Sequence, residues 1–190
     1  MDKEALSRIV ADSLALKRRF FEAQAAPLLA VGTRMTERLS AGARLLAFGN
    51  GGSAAAAQHF VAELVVRLAH PRRALPAIAL TTDSSILTAA ANDFGYEAVF
   101  RRQVEAHGRT GDIALGISTS GRSPNVVEAL RTARALGLHT VGLTGNGGGA
   151  LVGLVHDLID VPHPDTQRIQ EVHEMVLHLL AEMIDEAVRA

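Results

Sequence analysis

The chain has 190 residues, a formal charge of −1 from 19 basic and 20 acidic side chains, and no cysteine. That balance leaves no electrostatic footprint for nucleic acid, and aromatics at 4% offer little for bases to stack on. Disulfides and thiolate metal sites are excluded, no apolar run approaches the roughly 18 residues of a membrane span, and Met1-Asp2-Lys3-Glu4 opens no signal peptide. A cytoplasmic protein that binds neither nucleic acid nor membrane is expected. The length and the lack of a linker predict one domain over residues 1–190. A hydrophobic content of 48% predicts excess apolar helix surface, and with it a homo-oligomer.

Within an N-terminal region spanning 1–42, residues 3–39 read as two helices. Leu6, Ile9, Val10, Leu14, Leu16 and Phe20-Phe21 recur at helical spacing, and Pro27 supplies a break before Leu28–Leu39. Leu45–Phe48 is the first buried strand. Ser53, a natural N-cap, opens a helix to about Ala69. A short strand follows at Pro76–Leu80, then a helix from Thr82-Asp83-Ser84 through Ala91, a turn at Asn92-Asp93-Phe94-Gly95, and a helix to about Ala106. Ile113–Ile117 is the third strand, and Ser123-Pro124 caps a helix to about Leu136. Thr140–Leu143 and Leu158–Val161 complete the strands around a glycine-rich loop, and the last helix runs from Ile169 to about Val188. Alternating strands and helices predict an α/β fold, with a doubly wound, five-stranded, mostly parallel sheet and extra N-terminal helices.

Two turns stand out. Gly49-Asn50-Gly51-Gly52-Ser53 and Ser118-Thr119-Ser120-Gly121-Arg122-Ser123 each follow an apolar strand and open a helix. A strand that breaks into a small, hydroxyl-rich turn at a helix N-terminus presents N–H groups and a positive dipole end to an anion, usually a phosphate. Taken alone, the second turn is equally a capped helix start. Ser123-Pro124 explains the cap by itself, however, and leaves Ser118, Thr119 and Ser120 free for a phosphate. The first turn lacks the lysine of a P-loop and the spacing of a dinucleotide fingerprint. Beside the second it becomes a wall for a sugar, with Asn50 and Ser53 offering hydrogen bonds.

His59 and Glu63 lie at i and i+4 on one helix face, with Arg67 four residues further on. The pair is either an ordinary surface pair or part of a pocket, and its place two turns into the helix favours the pocket. Imidazole and carboxylate suit zinc, and Glu63 could equally serve as a base without metal. On the last helix, Gln170 and His178 stand about 80° and about 12 Å apart on an ideal helix. An exposed polar stripe accounts for Glu171. His178 is set among Val176, Leu177, Leu179 and Leu180, where a histidine needs a partner, a metal or an acid–base role.

These strings, with Gln58-His59, Pro76–Leu80, Ala91–Gly95 and Arg168-Ile169-Gln170-Glu171 with His173, resemble the sugar isomerase (SIS) family and its phosphoheptose isomerases over nearly the whole chain. The resemblance implies a flavodoxin-like SIS fold and a homotetramer. It also implies interconversion of sedoheptulose 7-phosphate and D-glycero-D-manno-heptose 7-phosphate through an enediol. By resemblance His59, Glu63, Gln170 and His178 fall on a Zn2+ site, with Glu63 and His178 as the acid–base pair. Asn50, Gly51, Gly52, Ser53, Arg67, Asn92, Asp93, Ser118, Thr119, Ser120, Ser123 and Gln170 fall on substrate contacts. Two departures are visible: Ala56 stands where the family pattern has Asp, and Glu174 where it has an apolar residue. Glu174 could add a ligand or a base, or mark a helix turned slightly outward. Two other readings are an isomerase of another sugar phosphate and a non-catalytic SIS protein that binds the replication initiator DnaA. Retention of Glu63 and His178 favours an enzyme.

Overall fold

Strands β1 (Leu45–Gly49), β3 (Ile113–Ser118) and β4 (His139–Gly145) are buried along their whole length, as strands covered on both faces must be. Alternation sends successive side chains to opposite sides. Leu45, Ala47, Ile113, Leu115, Ile117, Val141 and Leu143 join one half of the core. Leu46, Phe48 and Ala114 join the other. In the computed structural model, which describes residues 1–189, the strands pair in the order β2-β1-β3-β4-β5, with β2 at Ala77–Ala79 and β5 at Asp157–Val161. Every pairing is parallel, so the sheet is wholly rather than mostly parallel.

Helices α1 (Lys3–Ser40), α2 (Gly52–Val65) and α6 (Thr166–Ala187) fill the first half-core. Helices α3 (Ser84–Phe94), α4 (Arg101–His107) and α5 (Pro124–Ala135) fill the second. None of the described helices is long and apolar enough to cross a membrane.

Several boundaries differ from the sequence reading. The two N-terminal helices are one, because α1 runs through Pro27 without a break. A proline removes one backbone donor. Leu16 and Phe20 before it, and Leu28, Val31, Met35 and Leu39 after it, are all buried, so packing on both sides holds the axis. Helix α2 ends at Val65, not near Ala69. Arg72 sets this end by donating from Nη2 to the Glu63 carbonyl (2.6 Å) and from Nη1 to the Leu64 carbonyl (2.9 Å). The helix also starts one residue early, with Gly51 as its N-cap and Ser53 inside its first turn. Asn92 and Asp93 belong to the last turn of α3, and Gly95 is the cap that follows.

Candidate active site

The chain leaves β1 for β2 on one side and returns through β3 on the other, so the strand order reverses between β1 and β3. Ligands of open α/β sheets bind outside the carboxyl ends of the strands at such a switch point. Gly49 pairs with Ile117 there, and the two singled-out turns leave the sheet side by side. Gly51 takes φ +54° with ψ −121°, a backbone shape for which a side chain is strained. It turns the chain into α2.

A cavity of about 350 Å³ opens at this point, walled by Gly52, Ser53 and Ala56 from α2, Ile117 from β3, and Gln170 and His173 among others from α6. Glu174 lines it too and also lines a narrower crevice with His59, Phe60, Glu63, Leu177 and His178. In that crevice His59, Glu63 and His178 each present a ligand atom, all within 4.8 Å of one another. His59 Nε2 meets Glu63 Oε1 at 3.0 Å, and its ring stands edge-on to that of His178 with centroids 5.0 Å apart. Two imidazoles and a carboxylate converging from two helices form a donor set that suits zinc. Gln170 lies two turns before His178, with its amide against Gly52. It lines the larger cavity, whereas His178 lines the crevice.

His173 is 1% exposed. Its Nε2 donates to the Thr144 carbonyl at 2.9 Å, and Nδ1 has no hydrogen-bond partner among the described residues. Burial strips the charged form of solvent and lowers its pKa to about 4, against the opposing pull of the Thr144 carbonyl. The ring is therefore neutral near pH 7, with a lone pair on Nδ1. Its place on the apolar stripe of Ile169, Val172 and Val176 reads from sequence as core, so spacing alone does not mark it as a site residue.

The hydroxyl-rich turn is only partly as expected. Ser123 does not cap α5 with its side chain; its Oγ pairs with Ser118 Oγ at 3.0 Å. Ser118 thus has a partner inside the turn, and Ser120 Oγ accepts the Arg122 N–H at 3.2 Å. Thr119 is half-buried between them. Asn50 exchanges two amide hydrogen bonds with Asn125, at 2.9 and 2.8 Å, and accepts one from Tyr96 at 3.2 Å. That locks the glycine-rich turn to the start of α5. The sequence signal for Asn125 was an amide opening the apolar run Asn125-Val126-Val127, and it was missed.

Nine expected site residues line neither the cavity nor the crevice: Asn50, Gly51, Ser118, Thr119, Ser120 and Ser123 in the two turns, and Arg67, Asn92 and Asp93 elsewhere. Arg67 is exposed beyond the end of α2, so it does not extend the face of His59 and Glu63. Asn92 and Asp93 are exposed on α3 and hydrogen-bond to each other at 2.8 Å.

Residues 10–145 match the model of the SIS domain family. The chain is 54% identical over 173 residues to the phosphoheptose isomerase of Roseiflexus sp. (strain RS-1), an alignment covering 91% of this chain and 88% of that one. The structure of phosphoheptose isomerase GmhA from Neisseria gonorrhoeae superposes with a TM-score of 0.90 at 41% identity, over 97% of this chain and 98% of that one. A phosphoheptose isomerase from Francisella tularensis gives a TM-score of 0.94 at 34% identity, over 98% and 100%. The chain thus belongs to the SIS domain family and, within it, to the phosphoheptose isomerases, enzymes of the aldose–ketose isomerase class.

Proposed function

We propose that this chain interconverts sedoheptulose 7-phosphate and D-glycero-D-manno-heptose 7-phosphate through an enediol. The observation that carries the reading is the convergence of His59, Glu63 and His178 beside a sugar-sized cavity at the switch point. Moving a proton between adjacent carbons needs a base that reaches both, and partners for the enediolate oxygens. Glu63 is the base: Oε1 lies 3.0 Å from His59 Nε2, and Oε2 carries the proton. His178 protonates the substrate oxygen. The turn of Ser118, Thr119, Ser120 and Ser123 holds the phosphate at the N-terminus of α5. Gly52, Ser53 and Gln170 line the sugar, Gly51 turns the chain into α2 beside them, and Asn50 braces the turn that carries them.

His59, Glu63, Gln170 and His178 would hold Zn2+, with the first three-way cluster of His59, Glu63 and His178 fitting its preference for nitrogen and oxygen donors. Bound there, the ion would supply Lewis-acid polarisation of the substrate carbonyl.

The test is incubation of purified, zinc-supplemented protein with sedoheptulose 7-phosphate in D2O, followed by NMR. Aldose should appear with deuterium at C2, and Glu63→Gln should abolish both. Failure of the native protein to form aldose would overturn the reading.

We also infer that the protein assembles as a homotetramer. Leu6, Ile9, Val10 and Leu14 leave an exposed apolar ridge on the first half of α1, which packing within one chain does not cover. Light scattering at micromolar concentration should give four chains per particle; a monomer would contradict the inference.

A further inference from the structure

Positions 170, 174 and 178 recur every four residues on α6, so Glu174 shares a face with Gln170 and His178 and lies between them. Across the crevice its Oε2 stands 3.5 Å from His59 Nδ1. The other nitrogen of the same ring, Nε2, is 3.0 Å from Glu63 Oε1. His59 is therefore flanked by a carboxylate at each nitrogen, one from its own helix and one from α6. The constellation whose ligand atoms lie mutually within 4.8 Å consists of His59, Glu63 and His178, and Glu174 stands outside it. Glu174 meets that constellation at the nitrogen of His59 that faces away from Glu63.

We propose that Glu174 is a positioning residue of the metal centre, taking the Nδ1–H of His59 so that the Nε2 lone pair is left free for a metal ion shared with Glu63 and His178. The proposal rests on the metal-binding reading of those three residues. A metal-binding histidine needs its second nitrogen held by an acceptor, because that bond selects the tautomer, fixes the ring plane and raises the basicity of the ligating nitrogen. His178 packs edge-on against the half-exposed His59 ring, but Glu174 is the α6 residue that offers its Nδ1 an acceptor. The 3.5 Å separation is about half an ångström longer than a relaxed N–H···O bond. A small rotation about the side-chain bonds of Glu174 closes it.

Co2+ binding to the metal-free full-length protein tests this, with affinity from chelator competition and ligand geometry from the visible absorption bands. Glu174→Leu should bind Co2+ about 10–100-fold more weakly than wild type, the usual cost of losing such a partner. Its bands should keep their positions and intensity, since no ligand is lost. Glu174→Gln should fall between the two, because its amide oxygen still accepts the Nδ1–H. Glu174 is partly exposed, so both variants should keep the wild-type thermal midpoint. Wild-type affinity in Glu174→Leu would reduce the contact to a surface ion pair and overturn the proposal. Altered bands in Glu174→Leu would make Glu174 a ligand and overturn it equally. If the wild-type protein itself fails to bind Co2+, the metal reading falls and takes the proposal with it. Binding by wild type with no loss in Glu174→Leu sinks the proposal alone.

Discussion

The Gln170 amide lies against the α-carbon of Gly52, so that a Cβ at position 52 would sit 2.7 Å from Nε2 and 3.1 Å from Oε1. Gly52 is the first residue of α2 and its φ lies outside the left-handed region, so the backbone accepts alanine there. The helix would gain about 1 kcal/mol or less of propensity. The obstructing group is the end of a flexible side chain, which moves at little cost. Gly52→Ala should therefore fold with an unchanged or higher thermal midpoint while displacing Gln170 from the cavity wall. We expect kcat/KM to drop roughly tenfold, about 1.4 kcal/mol of transition-state stabilisation. Wild-type kinetics in this variant would remove Gln170 from the substrate site.

The sheet was legible because strands covered on both faces are written as short apolar runs, such as Leu45–Phe48 and Ile113–Ile117, closed by glycine and serine. What escaped was decided by distant partners. Pro27 reads as a break, and only the burial of Phe20 and Leu28 on either side explains why α1 continues. A four-residue spacing carried the helical face from Glu63 on to Arg67, yet Arg72 ends that helix by occupying its carbonyls. The hydroxyl of Ser123 reads as a cap, but Ser118 competes for it across the turn. His59 and Glu63 were recognisable as a pair from spacing alone. That His178 completes them while Gln170 lies in the adjoining cavity depends on how α6 crosses α2.

Arg72 is also the partner of Asp185, at 2.7 Å, and both side chains are almost wholly buried. Burial pushes the Asp185 carboxyl up, but the Arg72 hydrogen bond and the His70 and Ala69 amides outweigh it and hold its pKa below the ordinary value. Removing one member of a buried pair leaves the other charge stranded, at a cost of about 3–5 kcal/mol. Arg72→Met should therefore lower the thermal midpoint by on the order of 10 °C. Because the native carboxyl pKa is depressed, this stabilisation is present at neutral pH and is lost as pH falls through the folded-state value. The gap between wild type and Arg72→Met should narrow in strong acid to the part due to the lost Glu63 and Leu64 carbonyl bonds; a constant gap across pH would show that the charge pair is not the cause.

His173 gives a second pH dependence, in a different window. Its folded pKa of about 4 lies below the ordinary histidine value of 6.5, so between these values the unfolded chain binds more protons than the native one. Stability then rises with pH across that window. Acidification from about 6.5 to about 4 should remove on the order of 3 kcal/mol through this group. His173→Gln keeps an N–H donor for the Thr144 carbonyl and does not titrate. Denaturant unfolding at pH 7 and pH 4.5 should show a smaller acid loss in the variant than in wild type. Parallel losses would mean that the imidazole is not held neutral by the fold.

Ala56 is where this chain should gain most from one added group. It is 4% exposed, and its methyl forms part of the cavity wall with Gly52, Ser53, Gln170 and His173. A methyl offers a sugar hydroxyl neither donor nor acceptor, whereas a carboxylate accepts several hydrogen bonds. Since α2 begins at Gly52, residue 56 lies just past the first turn, so the helix dipole helps a carboxylate little and the propensity loss is about 0.7 kcal/mol. The cavity has room for the longer side chain and for water to solvate it. Ala56→Asp should therefore raise kcat/KM about tenfold or more, with the thermal midpoint falling by only a few degrees. Glu174 lines the same cavity but acts at His59, so the gain should persist when Ala56→Asp is combined with Glu174→Gln. Loss of the gain in the double variant would show that the two carboxylates serve one function. An unchanged rate in the single variant would show that turnover here needs no acceptor at position 56.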